Sequence, residues 1–458
     1  MIPTTEVSGG SIEALLLYVS ILGMLLVLAT IIRLKVPFFK KYYIPASLIA
    51  GFIGLLLGPT FLKVIPQHII SCWSGLSGKL IVLVFAPMLM GKRMLSGKQY
   101  ARKTINSVCY GYVGCFAQYA IPLLLTVFLF TPIFGVNPIF GTTIEAGWAG
   151  GHGTASGMLA VFEELGWAEG QSIAITNATI GLLVGIFGGV ILINIAARKG
   201  WTNFISAKDG KVGLENKGDE LYYKDEQKKT DTKSAISGSV IDNFAFHAAI
   251  LAIAVFLGYL AHKAIKLYFD FSVSWFVTAM FAGGLVQLVL NKTKWGDAVD
   301  TKVYSRIQGI SLEFLVAGAV ASLNVSVIIK YAVPLVLVNL AVLAFMVIYS
   351  LVYARGIFGK TWFENSMMTF GMYTGVAATG MLLLKVCDPE SKSDALSLYA
   401  ARAPFSSWAI GGGVITSLAP VWVAKYGAGT MGLIALGLMF VASIIPIVVR
   451  TWYKKGEE

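Results

Sequence analysis

Charge is scarce in this sequence. Only 13% of its 458 residues are Asp, Glu, Lys or Arg, against 56% hydrophobic residues, where a soluble domain averages about 25% charged. Together with a mean hydropathy of +0.74, this excludes an ordinary soluble chain and indicates a membrane protein. Cysteine is scarcer still: Cys72, Cys109, Cys115 and Cys387 lie in or beside apolar segments with no CxxC spacing and no histidine partner. That pattern speaks against a disulfide framework and gives no sign of a metal site. No HExxH, no P-loop and no plausible Ser/His/Asp set occurs, so neither a membrane enzyme nor ATP as an energy source within this chain is supported. The start of the chain has no basic residue ahead of its apolar run and no small-residue cleavage site, and it reads as a first membrane span rather than a signal peptide.

Apolar runs are what the sequence has in abundance. A helix needs about 20 mostly apolar residues to cross a hydrocarbon core of about 30 Å. By that measure spans are expected near 13–32, 43–62, 78–91, 104–130, 171–197, 243–262, 272–290, 307–329, 332–354, 400–423 and 428–449. Two further apolar stretches, about 138–165 and about 363–388, are each interrupted by glycines or small polar residues. If the N-terminus is outside and both interrupted stretches enter and leave on one side, thirty of the thirty-six basic residues become cytoplasmic. The other six are Lys63, Lys79, Lys263, Lys266, Lys330 and Lys425. The positive-inside rule thus favours re-entrance and a cytoplasmic C-terminus. It also accounts for the net charge of +12 without nucleic acid as a partner.

Residues 208–233 hold seven lysines and seven acids, the composition of a solvated linker, and they divide the chain in two. "ASGML" at 155–159 recurs as "ATGML" at 378–382. The same offset carries the first five spans, and one interrupted stretch, onto the next five and the other stretch. Five being odd, the second copy is inverted. The expected fold is therefore all-α and polytopic, with two inverted-topology five-span repeats, each with a re-entrant hairpin, and an extra C-terminal span. Its parts are a first repeat over 1–200, a charged cytoplasmic linker over 201–242, a second repeat over 243–425, and a last span and tail over 426–458. Inverted repeats with broken helices are the architecture of secondary transporters, whose sites lie at the midplane where the copies meet.

Gly147, Gly150, Gly151 and Gly153 would each cost about 1 kcal/mol inside a helix, which puts the tip of the first hairpin at Gly150 to Thr154 and the start of the leaving helix near Thr154. Unpaired N–H groups there suit an anionic carboxylate, and carbonyls of the entering arm suit sodium. A second tip is expected near 372–380, with Thr374 and Thr379 supplying hydroxyls. Gly153 and Gly157 also form a GxxxG helix-packing pair.

"GGHGTA" at 150–155 and "TGVAATGMLLLKVCDPE" at 374–390 resemble the motifs of the bacterial sodium/glutamate symporter family. The resemblance implies Na+-coupled uptake of glutamate, a homodimer of ten-span inverted repeats with two re-entrant loops, elevator-type movement, and no cofactor beyond Na+ as coupling ion. Substrate contacts are then expected from Gly151, His152, Gly153, Thr154, Ala155, Ser156, Thr374, Gly375, Thr379, Gly380, Arg402 and Ser406. The ion is expected at Gly150, Glu145, Asn177, Thr179, Tyr373 and Ser407.

Each polar residue has a plainer reading beside it. Arg402 can pair with a substrate carboxylate or anchor a cytoplasmic boundary. Asn177 and Thr179 can bind sodium or make interhelical hydrogen bonds. His152 is read as a neutral hydrogen-bonding group rather than a proton relay. Glu145 and Glu313 can serve a cation, face an entrance or make a structural hydrogen bond, and Lys385 can snorkel to the surface. The scaffold also admits another small carboxylate, driven by H+ instead of Na+, or a channel.

Overall fold

In a computed structural model of the full chain, the described residues are 7–41, 44–90, 101–205, 240–269, 273–293, 295–296, 299–389, 392–406 and 408–449. The linker 208–233 and Ser407 lie outside them. Everything regular among the described residues is helical. Seven helical stretches there are long and apolar enough to cross a bilayer: Gly9–Lys35, Gln67–Leu89, Lys103–Phe134, Glu169–Lys199, Asn243–Tyr268, Ala332–Cys387 and Ala428–Val448.

The differences from the eleven expected spans have local causes. Ala46–Leu57 is only twelve residues long, between Pro45 and Gly58. The helix expected from 78 begins at Gln67, directly after Pro66 at φ −63°, a residue whose ring pre-sets the backbone for a helix start. Thr301–Ala321 is long enough to cross but carries Lys302, Arg306 and Glu313. The expected span 400–423 is two helices, Ala395–Ser406 and Val414–Tyr426, separated by the glycines 411–413.

The chain forms two compact units, each drawing on both of its halves. One comprises residues 1–93, 156–161 and 216–323. Within it small residues let helices touch: a Cβ on Gly51 would lie 2.5 Å from the Val320 Cβ, and one on Gly54 2.8 Å from the Ala321 Cβ. The Trp73 indole donates to the Tyr18 carbonyl at 2.9 Å, and the Ser77 hydroxyl donates to the Leu315 carbonyl at 2.9 Å.

The other unit comprises residues 94–155, 162–215 and 324–458. It holds the long helices Ala101–Leu125, Glu169–Lys199, Ala332–Ile348 and Ala428–Val448. Ala428–Val448 closes on Ala101–Leu125 through Gly432, whose Cβ would sit 3.1 Å from Leu124. At one end of Glu169–Lys199 the Arg355 guanidinium lies over the rings of Trp201 and Trp362, at 4.9 and 4.7 Å. The Glu364 carboxylate there accepts from the Asn203 backbone N–H at 2.8 Å and its amide Nδ2 at 3.1 Å. Cation–π and carboxylate contacts of this kind fix one helix end against another. This unit contains three interrupted helical segments.

Candidate functional site

The first interruption follows the helix Thr143–Gly147. Residues 148–150 are non-helical and the helix restarts at Gly151, a few positions earlier than the glycine count predicts. Two constraints place it. Gly147 has no room for a side chain, since a Cβ would lie 2.5 Å from the Ala174 carbonyl oxygen and 2.8 Å from the Ala178 nitrogen. Gly151 has φ +72°, which only glycine adopts without strain. The turn is held by a buried relay. The Trp148 indole N–H donates to Asn339 Oδ1 at 2.8 Å, Asn339 Nδ2 donates to Asn177 Oδ1 at 2.8 Å, and Asn177 Nδ2 donates to Thr143 Oγ1 at 3.0 Å. Thr143 in turn donates to the Phe140 carbonyl at 2.7 Å. Both polar atoms of the Asn177 amide are therefore engaged in tying the entering arm to the Glu169–Lys199 and Ala332–Ile348 helices.

The second interruption lies inside Trp362–Cys387, at Gly375 (φ −152°, ψ 40°) and Val376 (φ 64°, ψ 176°). A Cβ on Gly371 would lie 2.6 Å from the Gly380 Cα, and one on Gly380 2.3 Å from the Met368 carbonyl oxygen. In a straight helix nine residues span about 13 Å, so the chain reverses and its arms pack side by side through these two glycines. The Thr379 hydroxyl donates to the Gly375 carbonyl at 2.5 Å, and that of Thr374 donates to Phe370 at 2.8 Å. The reversed segment beds on glycines of Glu169–Lys199: a Cβ on Gly181 would lie 2.3 Å from the Thr374 carbonyl oxygen, one on Gly185 2.3 Å from Thr374 Oγ1, and one on Gly189 2.4 Å from Leu383.

The third interruption separates Ala395–Ser406 from Val414–Tyr426, with Gly411 and Gly412 at φ +67° and +104°. Glu145, fully buried, organises it. One carboxylate oxygen accepts from the Gly411 N–H at 2.8 Å and the Thr416 hydroxyl at 3.1 Å; the other accepts from the Tyr119 hydroxyl at 2.7 Å. A carboxylate at the start of a helix is stabilised by the exposed N–H groups and the dipole.

The three interruptions meet. A Cβ on Gly151 would lie 2.5 Å from Val376, and one on Gly411 3.3 Å from the Ala149 carbonyl oxygen. Beside them Gln118 donates to the Tyr373 carbonyl at 2.6 Å, while its own Oε1, like the buried hydroxyls of Thr154 and Ser417, has no hydrogen-bond partner among the described residues.

Arg402 is 2% exposed. Its guanidinium donates to Thr369 Oγ1 at 3.1 Å and to the Met372 Sδ at 3.0 Å, both on the entering arm of the second interrupted segment. It lies over the Tyr399 ring at 5.5 Å. Among the described residues no carboxylate pairs with it. A hydroxyl and a thioether are weak company for a buried cation, which ordinarily demands an anion. Next to it the Tyr373 hydroxyl donates to the Gly111 carbonyl at 2.6 Å, and Ser406 donates to the Arg402 carbonyl at 3.2 Å.

Past the first turn the candidates His152, Gly153, Ala155 and Ser156 are buried, whereas Gly150 is half-buried and Glu313 exposed. His152 lies 3.0 Å from the Thr179 hydroxyl, which donates to the Ile175 carbonyl at 3.1 Å, so the imidazole Nε2–H is the donor to Thr179. Gly153 and Ala155 are buried with it. Ser156 is buried but belongs to the other compact unit.

A sequence profile described as Sodium/glutamate symporter matches residues 12–382. The chain belongs to the sodium/glutamate symporter family. Membership makes this symporter a transporter and not an enzyme, and ties it to sodium-coupled transport. No curated protein sequence matches it. Among solved structures, a sodium proton antiporter from Methanocaldococcus jannaschii aligns over 93% of this chain and 99% of its own, at 16% identity and a TM-score of 0.43.

Several residues of this candidate site escape sequence reasoning. Gln118 and Asn339 are lone amides in apolar runs, and the triple glycine 411–413 interrupts an apolar stretch; each could have been flagged by the rule that polar or helix-breaking residues at membrane depth are functional candidates. Thr369, Met372 and Thr416 carry no such mark. Gly181, Gly185 and Gly189 recur every four residues, the spacing of one helix face.

Proposed function

We propose that this chain is a Na+-coupled glutamate symporter of the bacterial cytoplasmic membrane, working by alternating access with elevator-type movement. The observation that carries the reading is Arg402: a buried guanidinium beside the second interrupted segment, with no carboxylate partner among the described residues. Its planar fork fits a carboxylate. Glutamate supplies the anion, held by Arg402 and Ser406 on one side and, at the tips, by Gly151, His152, Gly153, Thr154, Ala155, Thr374, Gly375, Thr379 and Gly380.

Sodium, a hard cation, seeks oxygen. The unpartnered oxygens of Thr154, Gln118 and Ser417 support an ion site where the interruptions meet, and they join Gly150, Thr179 and Tyr373 in it. Glu145 and Asn177 serve the ion from behind, by fixing the backbone that offers its carbonyls. In this reading the first two interrupted segments are re-entrant loops from opposite faces of the bilayer, built by two inverted repeats, in a homodimer with the N-terminus outside and the C-terminus in the cytoplasm. Non-helical backbone at membrane depth is tolerated where it lines such a protein-enclosed site.

The test is glutamate uptake by purified protein in proteoliposomes. Accumulation should require an inward sodium gradient and vanish when that gradient is collapsed. Accumulation driven equally by a proton gradient alone would reject sodium coupling, and saturable uptake of another carboxylate that glutamate does not inhibit would reject the substrate.

A further inference from the structure

We propose that the unit formed by residues 1–93, 156–161 and 216–323 carries a binding site for one anionic phospholipid. A groove of about 430 Å³ opens on this unit, lined among others by Phe244, Leu251, Val255, Phe256, Tyr259 and Trp275. Phe244 and Phe256 are about half exposed, so the groove presents an apolar floor and walls to the bilayer. Asn243–Tyr268, which supplies most of it, is a candidate membrane span. From Phe244 to Tyr259 that helix rises about 22 Å, more than the roughly 15 Å of one leaflet's hydrocarbon, which is room for an acyl chain along its length.

One end of the groove is chemically different. Tyr259 and Trp275 meet edge to face there, with ring centroids 5.4 Å apart, and the Trp275 indole donates to the Val255 carbonyl at 3.1 Å. Such aromatic pairs mark headgroup level. One turn further on, the Lys263 ammonium lies 5.7 Å from the Tyr259 ring centroid, and among the described residues it pairs with no carboxylate. An apolar slot capped by aromatic residues and a cation is complementary to a lipid whose tail ends in a net negative phosphate. A zwitterionic lipid brings its own cation and gains nothing from Lys263, and a second copy of the chain would fill the slot without using that charge.

The experiment is independent of transport. Full-length protein in detergent is titrated with phosphatidylglycerol or with phosphatidylcholine of the same chains, and lipid retention is read by native mass spectrometry beside the thermal unfolding midpoint. Wild type should retain phosphatidylglycerol about fivefold better, the effect of one cation at the membrane surface. Lys263→Gln should abolish the preference while keeping the fold. Ala252→Trp, which fills the groove from an exposed position, should lose both lipids from this site. Equal retention of the two lipids by wild type, or a preference unchanged in Lys263→Gln, overturns the proposal. So does a dimer mass that Ala252→Trp removes, since the groove would then hold a second copy.

Discussion

Replacing Arg402 by Gln separates a substrate-binding arginine from a structural one. The guanidinium has a threonine hydroxyl and a thioether as hydrogen-bond partners, so removing it deletes two weak contacts and relieves the cost of burying a charge. The ligand-free unfolding midpoint should therefore stay level or rise. In the complex the same substitution strips a buried carboxylate of its cation, at about 3 kcal/mol taken from the low end of measured values, which is roughly a 150-fold weaker Kd at 1.4 kcal/mol per decade. At 100 times the wild-type Kd, glutamate stabilises wild type by about 2.7 kcal/mol, while the variant at the same concentration gains only about 0.3 kcal/mol by the same relation. The assay is thermal unfolding with and without glutamate in saturating sodium, and the glutamate-induced shift should shrink about ninefold. Arg402→Lys keeps the charge without the fork and should fall between. A variant that is less stable without ligand yet shows the wild-type glutamate shift would refute the reasoning.

Gly181→Ala forces a methyl to within 2.3 Å of the Thr374 carbonyl oxygen; overpacking against backbone should destabilise by about 1–3 kcal/mol, visible as a lower unfolding midpoint together with lost uptake. Asn339→Leu leaves the Trp148 indole N–H and the Asn177 Oδ1 without their shared partner and should cost about 1–3 kcal/mol per orphaned group, again read from the unfolding midpoint. Outside the membrane-spanning segments, Asp394 accepts from Lys103 Nζ at 2.6 Å, Thr361 Oγ1 at 2.7 Å and Asn365 Nδ2 at 3.0 Å. Burial raises its pKa, and these donors outweigh that and hold it below the ordinary 3.8. A depressed carboxylate contributes stability that is present above the unfolded value and lost as pH falls through the folded one. Wild type should thus exceed Asp394→Asn in midpoint by a constant margin from pH 7 to about 5, and the margin should close in stronger acid; a margin that widens there contradicts the ion pair.

The sequence makes the helical content and the membrane setting plain, because apolar runs of about 20 residues leave few alternatives. It is less informative about where helices stop. Gly375 and Val376 break their helix inside the expected stretch 372–380, but nothing in composition reveals that Val376 takes a left-handed φ, which β-branched residues avoid. Trp148 reads as an ordinary apolar residue and is part of the first turn, because its indole is held by Asn339, 191 positions away. Arg402 lies near the edge of an apolar run, where boundary anchor and buried cation look alike; only the folded neighbourhood of Thr369 and Met372 separates them. The glycines 411–413 sit within a stretch whose average hydropathy still reads as a span. Averages over 20 residues hide interruptions of three.

The glycines at 181, 185 and 189 make the Glu169–Lys199 helix a toothed rack, with Thr374 seated at the first two and Leu383 at the third. A part meshed in this way cannot creep; it advances by a whole tooth, four residues or about 6 Å, or not at all. In the elevator-type movement proposed above, any shorter stroke carries rack and loop as one piece, so a cross-link between them should leave turnover intact.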